Sequence, residues 1–208
     1  MKTLNKIYKQ KFIAIIRGYT PDDALAIARS LYEGGVKVFE IATNSPKPLK
    51  TIERITDEFG DEVTVGAGTV LDPETARSAI LAGSQFILSP TLNIETIKMT
   101  KRYGAISIPG AYTPTEILTA FEEGGDIVKV FPASKLGPDY VKELLGPLNQ
   151  LKLLPTGGIN LDNMNDYLKQ GAIGVGIGSS LVHQTDQVST EFLTEIKTKA
   201  EKFVQNIQ

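Results

Sequence analysis

The stretch Asp126-Ile-Val-Lys-Val-Phe-Pro-Ala-Ser134 places one lysine inside an otherwise apolar run. Alternation along a β-strand directs Lys129 to the same face as Ile127 and Phe131. If this strand is buried on both faces, as in parallel α/β sheets, the Lys129 amine lies in the interior. Burial favours loss of its proton, and a neutral lysine amine is a nucleophile that forms Schiff bases with carbonyl compounds. The alternative is a lysine on an edge strand, or one whose amine reaches solvent.

Short apolar runs of this kind recur along the whole chain at intervals of roughly 20 to 27 residues, with helical patterns between them. The helical patterns begin at pairs such as Thr20-Pro21, Asp72-Pro73 and Thr113-Pro114, which are typical of an N-cap followed by proline in the first turn. The eight runs predict strands at 13–17, 36–41, 63–67, 85–88, 105–108, 126–130, 152–155 and 173–177.

Eight alternating strand and helix units predict a (β/α)8 TIM barrel, in which parallel strands are joined by right-handed crossovers. Helical spacing in the lysine-rich residues 1–11 adds a short N-terminal helix. The 208 residues suit one buried core, and no linker interrupts them, so we expect a single domain over 1–208. An open doubly wound sheet is the alternative, but near-equal units give no sign of a reversal in strand order.

Composition excludes several classes of function. A net charge of −2 with 22% charged residues argues against nucleic-acid or membrane-surface partners. The absence of cysteine excludes disulfides, thiolate catalysis and thiolate metal sites, and the only histidine, His183, is expected at the surface. The apolar run 12–16 is too short for a signal peptide or a membrane span, so a cytoplasmic protein is expected.

Polar residues stand at the carboxyl ends of five predicted strands, where the active site of a (β/α)8 barrel lies. Each is in line with the apolar residues on one face of its strand, which predicts a cluster over the barrel mouth. The five residues are Arg17, Glu40, Thr69, Lys129 and Thr156.

Glycine-rich segments follow the last two predicted strands. Leu154-Pro-Thr-Gly-Gly-Ile159 follows the seventh strand, and Gly174-Val-Gly-Ile-Gly-Ser-Ser180 closes the eighth. Glycines let the backbone approach an anion, and loops at these two places in a barrel frequently bind phosphate. Either segment alone is typical of a tight turn, but the pair predicts a phosphate site.

Together these motifs resemble the keto-deoxy-phosphogluconate and hydroxy-oxoglutarate aldolase family over nearly the whole chain. The most specific combination is Lys-x-Phe-Pro with Gly-Ala-Gly-Thr-Val and Pro-Thr-Gly-Gly. The segments that carry the resemblance are Gly35-Val36, Phe39-Glu40-Ile41, Gly66-Ala67-Gly68-Thr69-Val70, Leu88-Ser89-Pro90, Pro109-Gly110, Thr113-Pro114-Thr115-Glu116, Val128-Lys129-Val130-Phe131-Pro132-Ala133 and Pro155-Thr156-Gly157-Gly158-Ile159.

The resemblance implies a class I, pyruvate-forming aldolase that uses no metal and no cofactor and assembles as a homotrimer. Lys129 would be the Schiff-base lysine, and Glu40 would move protons directly or through a water. The implied binding residues are Thr69, Pro90 and Phe131, with Thr156 nearby, at the pyruvate end, and Gly157, Gly158, Gly178 and Ser179 around the phosphate.

One position departs from the family pattern. Many members have an arginine four residues after the glutamate, whereas this chain has Asn44. Arg17 ends the neighbouring strand, and its side chain is long enough to bring a guanidinium to the same place. We therefore predict that Arg17 binds the substrate carboxylate; the alternatives are a structural ion pair with Glu40 or exposure to solvent.

The expected reaction is cleavage of 2-keto-3-deoxy-6-phosphogluconate, the aldolase substrate of the Entner-Doudoroff pathway, to pyruvate and an aldehyde such as glyceraldehyde 3-phosphate. 4-Hydroxy-2-oxoglutarate is a further expected substrate, and the galactonate-derived phosphosugar acid is an alternative. A phosphosugar isomerase or epimerase would share the glycine loops, and a non-catalytic sugar-acid sensor would share the pocket. Only an aldolase requires a covalent pyruvate adduct on Lys129.

Overall fold

The structure is a computed structural model that describes residues 2–207. Residue 1, where the predicted N-terminal helix and domain begin, and residue 208, where the predicted domain ends, lie outside this range. The strands are β1 Phe12–Ile16, β2 Val38–Ala42, β3 Thr64–Gly68, β4 Phe86–Leu88, β5 Ile106–Ile108, β6 Gly110–Ala111, β7 Val128–Val130, β8 Leu153–Pro155 and β9 Val175–Ile177. The helices are α1 Lys2–Gln10, α2 Pro21–Glu33, α3 Pro48–Phe59, α4 Pro73–Leu81, α5 Ile94–Arg102, α6 Pro114–Glu122, α7 Pro138–Leu145, α8 Met164–Lys169 and α9 Thr190–Gln205.

The strands form two parallel sheets. One has the order β5-β4-β3-β2-β1-β9, and the other has the order β6-β7-β8. Every predicted strand overlaps an observed one, so the α/β architecture with parallel strands is confirmed. The predictions missed β6, which follows β5 after the single residue Pro109. Proline has no N–H to donate to a sheet, which accounts for a break at this residue.

Backbone contacts connect the two sheets at both of their edges. At one edge, Lys129 N donates a hydrogen bond of 2.9 Å to Pro109 O, between β5 and β6. At the other edge, Ile173 N donates to Leu153 O at 3.0 Å, and Thr156 forms a parallel bridge with Gly176.

The helices begin as the sequence patterns predict. The Thr113 side chain accepts a hydrogen bond from Glu116 N, and the Glu116 carboxylate accepts one from Thr113 N, which completes a capping box at the start of α6. Thr20 and Asp72 cap α2 and α4 in the same position, each with proline in the first turn. No helix within residues 2–207 is long and apolar enough to cross a membrane.

The interior contains two hydrophobic clusters. The larger one includes alternate strand residues together with the apolar faces of the helices. The smaller one joins the opposite strand faces to Ile7 of α1, and its strand residues are Ile13, Val38, Phe86, Leu88, Ile106, Ile108, Ile127 and Leu154. By strand alternation, Glu40 and Lys129 share the face of Val38 and Ile127, two residues closer to the carboxyl ends. The apolar cluster therefore lies directly beneath the polar site.

Candidate active site

A pocket of about 780 Å³ lies at the carboxyl ends of the strands. Its walls bring together ten of the eleven predicted site residues: Arg17, Thr69, Pro90, Lys129, Phe131, Thr156, Gly157, Gly158, Gly178 and Ser179. The eleventh, Glu40, is fully buried and is not part of the pocket wall.

Lys129 lies in the middle of β7 and is 4% exposed. Its Nζ atom is 4.8 Å from the centre of the Phe131 ring. Burial lowers the pKa of Lys129, and the positive charge of Arg17 lowers it further, while the charge of Glu40 acts in the opposite direction. Burial is the largest of these effects, so the amine at the pocket wall is held toward its neutral, nucleophilic form.

Glu40 lies behind this wall on β2, where it is paired with Gly66 of β3 and Ile15 of β1. Burial raises the pKa of Glu40, although the charges of Lys129 and Arg17 oppose the shift. Within residues 2–207, neither carboxyl oxygen of Glu40 has a hydrogen-bond partner. Glu40 is therefore held toward a neutral carboxylic acid beside the amine, and it forms no hydrogen-bonded ion pair with Arg17.

The Arg17 guanidinium is held by residues of two neighbouring loops. Nη1 donates a 2.7 Å hydrogen bond to Asn44 Oδ1, after β2. Nη2 donates a 3.1 Å hydrogen bond to Thr69 Oγ1, after β3. A guanidinium has five N–H donors in a planar fork, so donors remain for an anion in the pocket.

Thr69 has an unusual backbone conformation, with φ +60°. A β-branched residue rarely adopts a left-handed conformation, and such residues concentrate at functional sites. Thr43 helps to hold it, because Thr43 Oγ1 donates a 2.8 Å hydrogen bond to the Thr69 carbonyl. Thr43 carries no local sequence signal, because its role depends on the contact between two loops.

The glycine segments form part of the pocket wall. Gly157 and Gly158 have φ values of +95° and +74°, which favour glycine. Asn163 Nδ2 donates to the Gly158 carbonyl at 2.9 Å, and Ser180 Oγ donates to the Ile159 carbonyl at 2.6 Å. Both carbonyl groups therefore accept hydrogen bonds from protein side chains.

Unused donors support an anion site here. Within residues 2–207, the backbone N–H groups of Gly157, Gly158, Ser179 and Ser180 donate no hydrogen bond. Backbone N–H groups in glycine-rich loops are the usual ligands of phosphate. A Cβ atom built on Gly178 would meet nothing within 4 Å, so the space beside it is open.

Several pocket residues were not predicted from the sequence. Ser180 ends the second glycine segment and Asn160 directly follows the first, so each lies within two residues of a glycine that was predicted to bind phosphate. Gln184 lies in a loop with no local pattern that marks it. His183 is not part of the pocket wall, and its ring lies edge-on to Phe192. Among the residues that the structure describes, no three His, Cys, Asp or Glu side chains are grouped as metal ligands.

A family model described as KDPG and KHG aldolase matches residues 4–198. The chain belongs to this family. It is therefore an aldolase, a carbon–carbon lyase, as the motifs predicted, rather than an isomerase or a sensor.

The aldolase has relatives of both sugar-acid types. It is 37% identical over 192 residues to the 2-dehydro-3-deoxy-6-phosphogalactonate aldolase of Escherichia coli. The matched region covers 89% of this chain and 94% of the relative. The solved structure of native KDPGal matches with a TM-score of 0.88 and 36% identity, over 94% of this chain and 93% of that one. The KDPG aldolase of Legionella pneumophila, solved with pyruvate captured at low pH as a covalent carbinolamine, has a TM-score of 0.86 and 29% identity over 94% and 95% of the two chains.

Proposed function

We propose that this aldolase uses Lys129 to form a Schiff base with a 2-keto-3-deoxy-6-phosphohexonate and releases pyruvate and glyceraldehyde 3-phosphate. The gluconate-derived acid is the first candidate substrate. The observation that carries the proposal is a buried amine of lowered pKa that opens onto a pocket lined by nine other predicted site residues. A buried neutral amine in a carbonyl-binding site is the arrangement that Schiff-base chemistry requires.

In the first half of the reaction, the Lys129 amine adds to the keto carbon and gives a carbinolamine. We assign Glu40 the role of the acid in this step, since burial raises its pKa and favours the protonated form. Its proton leaves with the carbinolamine hydroxyl as water, which produces an iminium on Lys129 and a carboxylate on Glu40. Since Glu40 is not exposed in the pocket, a bridging water carries this proton.

In the second half, the positive iminium stabilises the neighbouring carboxylate and makes Glu40 available as a base. Glu40 takes the C4 hydroxyl proton through the same route, the C3–C4 bond breaks, and its electron pair moves to the iminium nitrogen. The aldehyde leaves, and Glu40 returns its proton to C3 of the remaining enamine through the same route. Hydrolysis of the resulting iminium then returns pyruvate and the free Lys129 amine.

The two ends of the pocket suit the two charged ends of the substrate. We assign the substrate carboxylate to the Arg17 fork, which is held in the pocket wall by Asn44 and Thr69 and can bind a carboxylate bidentately. We assign the C6 phosphate to the unused N–H groups of Gly157, Gly158 and Ser179. An unphosphorylated 4-hydroxy-2-oxoglutarate would use only the first of these contacts, so we expect it to be the weaker substrate.

The galactonate-derived C4 epimer is the second candidate substrate. The specific observation that favours it is the similarity to the Escherichia coli 6-phosphogalactonate aldolase over 89% of the chain. The two epimers share both charged ends and differ only in the direction of one hydroxyl. The proposed catalytic roles are the same for both.

The experiment is to measure kcat/KM for both C4 epimers and for 4-hydroxy-2-oxoglutarate, with lactate dehydrogenase reporting pyruvate. The proposal predicts turnover of at least one phosphorylated epimer, with a higher kcat/KM than for the unphosphorylated acid. Turnover of the unphosphorylated acid alone would contradict the phosphate site, and turnover of none would contradict the substrate class.

We also propose that the two sheets form one closed (β/α)8 barrel in a single domain. The interstrand contacts at both sheet edges, Lys129 with Pro109 and Ile173 with Leu153, support closure, because β5 and β6 then count as one broken strand. A crystal structure with an open gap between β8 and β9 would contradict this proposal.

For assembly, we propose the homotrimer that the family resemblance implies. Sedimentation equilibrium should give three times the chain mass of 22.6 kDa, and a monomer would contradict the proposal. A cytoplasmic location stays a prediction from composition.

A further inference from the structure

Two glycines lie on the inner face of β3, and each leaves space for a different buried side chain. Gly66 is paired with Glu40, and Gly68 lies two residues closer to the carboxyl end, on the same face. A Cβ atom at Gly66 would lie 2.2 Å from the Phe86 ring. A Cβ atom at Gly68 would lie 1.7 Å from Glu40 Oε1, 2.2 Å from Cδ and 2.5 Å from Cγ.

The requirement for glycine at position 68 is one of space. Its backbone φ is outside the left-handed region, so an alanine could adopt the same conformation. The atoms that would overlap with a methyl group belong to the carboxyl end of Glu40. This end is flexible in principle, but Glu40 is fully buried, so any displacement carries its carboxyl away from its present place beside Lys129.

Hydrogen bonds do not hold the Glu40 carboxyl in place. Neither oxygen has a partner within residues 2–207, so the position of the group depends on the shape of the cavity around it. The absence of a side chain at Gly68 provides part of that shape. Packing at position 68 therefore helps to position the Glu40 carboxyl, as a hydrogen-bonding partner does for many catalytic carboxylates.

We infer that Gly68 is a positioning residue for the reaction: the space above its Cα atom seats the Glu40 carboxyl where it can exchange protons with the substrate bound to Lys129. This inference rests on the proposed roles of Glu40 and Lys129. Positioned proton transfer is sensitive to distance, and a misplacement of about 1 Å can lower a rate by about 100-fold.

Gly66 provides a matched control on the same strand and face. Both alanine variants add one methyl group to a fully buried position, but the methyl at 66 meets the ring of Phe86 rather than Glu40. An aromatic ring in a packed core has little room to move, whereas a carboxyl side chain can rotate. Gly66→Ala should therefore lose more stability, and Gly68→Ala should lose more turnover.

The experiment compares Gly68→Ala with Gly66→Ala in thermal melts and in steady-state kinetics. Gly68→Ala should lower kcat by about 10- to 100-fold with little change in KM, and it should still trap pyruvate on Lys129. Gly66→Ala should show the larger loss of Tm and keep kcat within about threefold. A Gly68→Ala variant with kcat within twofold of wild type, or with a changed KM and unchanged kcat, would overturn the inference.

A second comparison keeps the test valid if either variant folds poorly. Gly68→Ala is combined with Glu40→Ala, which removes the side chain that the methyl group displaces. The added methyl should then cost little Tm and leave the residual pyruvate-trapping rate of Glu40→Ala unchanged. An equal loss in both backgrounds would overturn the inference, whereas a wild-type enzyme that neither turns over substrate nor traps pyruvate would overturn the proposed function instead.

Discussion

Arg17 Nη1 lies 2.7 Å from Asn44 Oδ1, so the asparagine that replaces an expected arginine holds the arginine of the neighbouring strand. Thr69 Oγ1 accepts a hydrogen bond from the other terminal nitrogen. The guanidinium is therefore fixed by two neutral acceptors rather than by a carboxylate. Its positive charge is not cancelled locally and is available to a substrate anion.

Replacing Arg17 should weaken binding of every keto acid. A charge-assisted hydrogen bond is worth about 1.5–3 kcal/mol, which corresponds to about 10- to 150-fold in affinity. Arg17→Ala should therefore raise KM by about this factor for phosphorylated and unphosphorylated substrates alike. Arg17→Lys should raise it less, because it keeps the charge but loses the planar fork. Steady-state kinetics with both substrate types measures the effect.

Asn44→Ala is the control for this prediction. It should raise KM by a smaller factor than Arg17→Ala, and it should add nothing in the Arg17→Ala background, because it acts through Arg17. If Arg17→Ala leaves KM unchanged while Asn44→Ala raises it, the carboxylate is bound from the loop after β2 and the role given to Arg17 is wrong.

Glu40→Gln should separate nucleophilic attack from proton transfer. The amide has almost the same shape but cannot take a proton, so we expect kcat to fall by about 100-fold or more. Pyruvate should still be trapped on Lys129 by borohydride, because the amine remains. Stopped assays and intact-mass measurements give the two readouts, and an unchanged kcat would assign Glu40 a structural role only.

Lys129→Met should abolish turnover and raise stability at pH 7. The folded amine has a lowered pKa, so the unfolded state binds more protons and folding carries a cost that methionine does not have. We expect a Tm rise of a few degrees, since about 1 kcal/mol corresponds to about 2–4 °C in a chain of this size. A lower Tm would instead indicate a charged Lys129–Glu40 pair whose loss leaves a buried carboxylate.

The stabilising effect of Lys129→Met should decrease as pH rises. Wild-type stability rises with pH between the lowered pKa of Lys129 and about pH 10.4, where a free lysine titrates, so the advantage of methionine should shrink over this range. Pyruvate trapping should likewise reach its maximum below pH 10.4. At saturating pyruvate, the trapping rate rises with pH as Lys129 loses its proton. Arg17→Ala should move this rise to higher pH, because loss of a neighbouring cation raises the Lys129 pKa. A rise that stays at the same pH would contradict this influence of Arg17.

Gly178 offers a test of the phosphate loop with little risk to the fold, because a Cβ atom there meets no other atom within 4 Å. Gly178→Val should lower kcat/KM for the phosphorylated substrate by about tenfold or more and weaken inhibition by inorganic phosphate. The unphosphorylated hydroxy-keto acid should be much less affected. Gly178→Ala, with a smaller side chain, should show a smaller effect of the same pattern. Equal losses for both substrates would indicate general damage to the pocket.

Much of the fold could be predicted because it is encoded locally. Apolar runs of strand length and N-caps such as Thr113 are visible in a few consecutive residues, and both were found. The break at Pro109 was missed, because a two-residue strand such as β6 has no period to detect.

The site was predictable to the extent that strand parity determines it. Parity and motif placed Lys129 and Arg17 at one end of the molecule, and the pocket contains both. The depth of Glu40, the contact between Asn44 and Arg17, and the space above Gly68 could not be predicted. Each depends on distances between side chains of adjacent strands, which a one-dimensional pattern does not contain.

Borohydride reduction in the presence of pyruvate, followed by peptide mass spectrometry, is the most direct test of the central claim. We expect one reduced pyruvate adduct, located on Lys129, that is absent from Lys129→Met and retained in Glu40→Gln. An adduct on a different lysine, or turnover of a phosphorylated keto-deoxy acid without any adduct, would contradict the claim that Lys129 is the Schiff-base lysine.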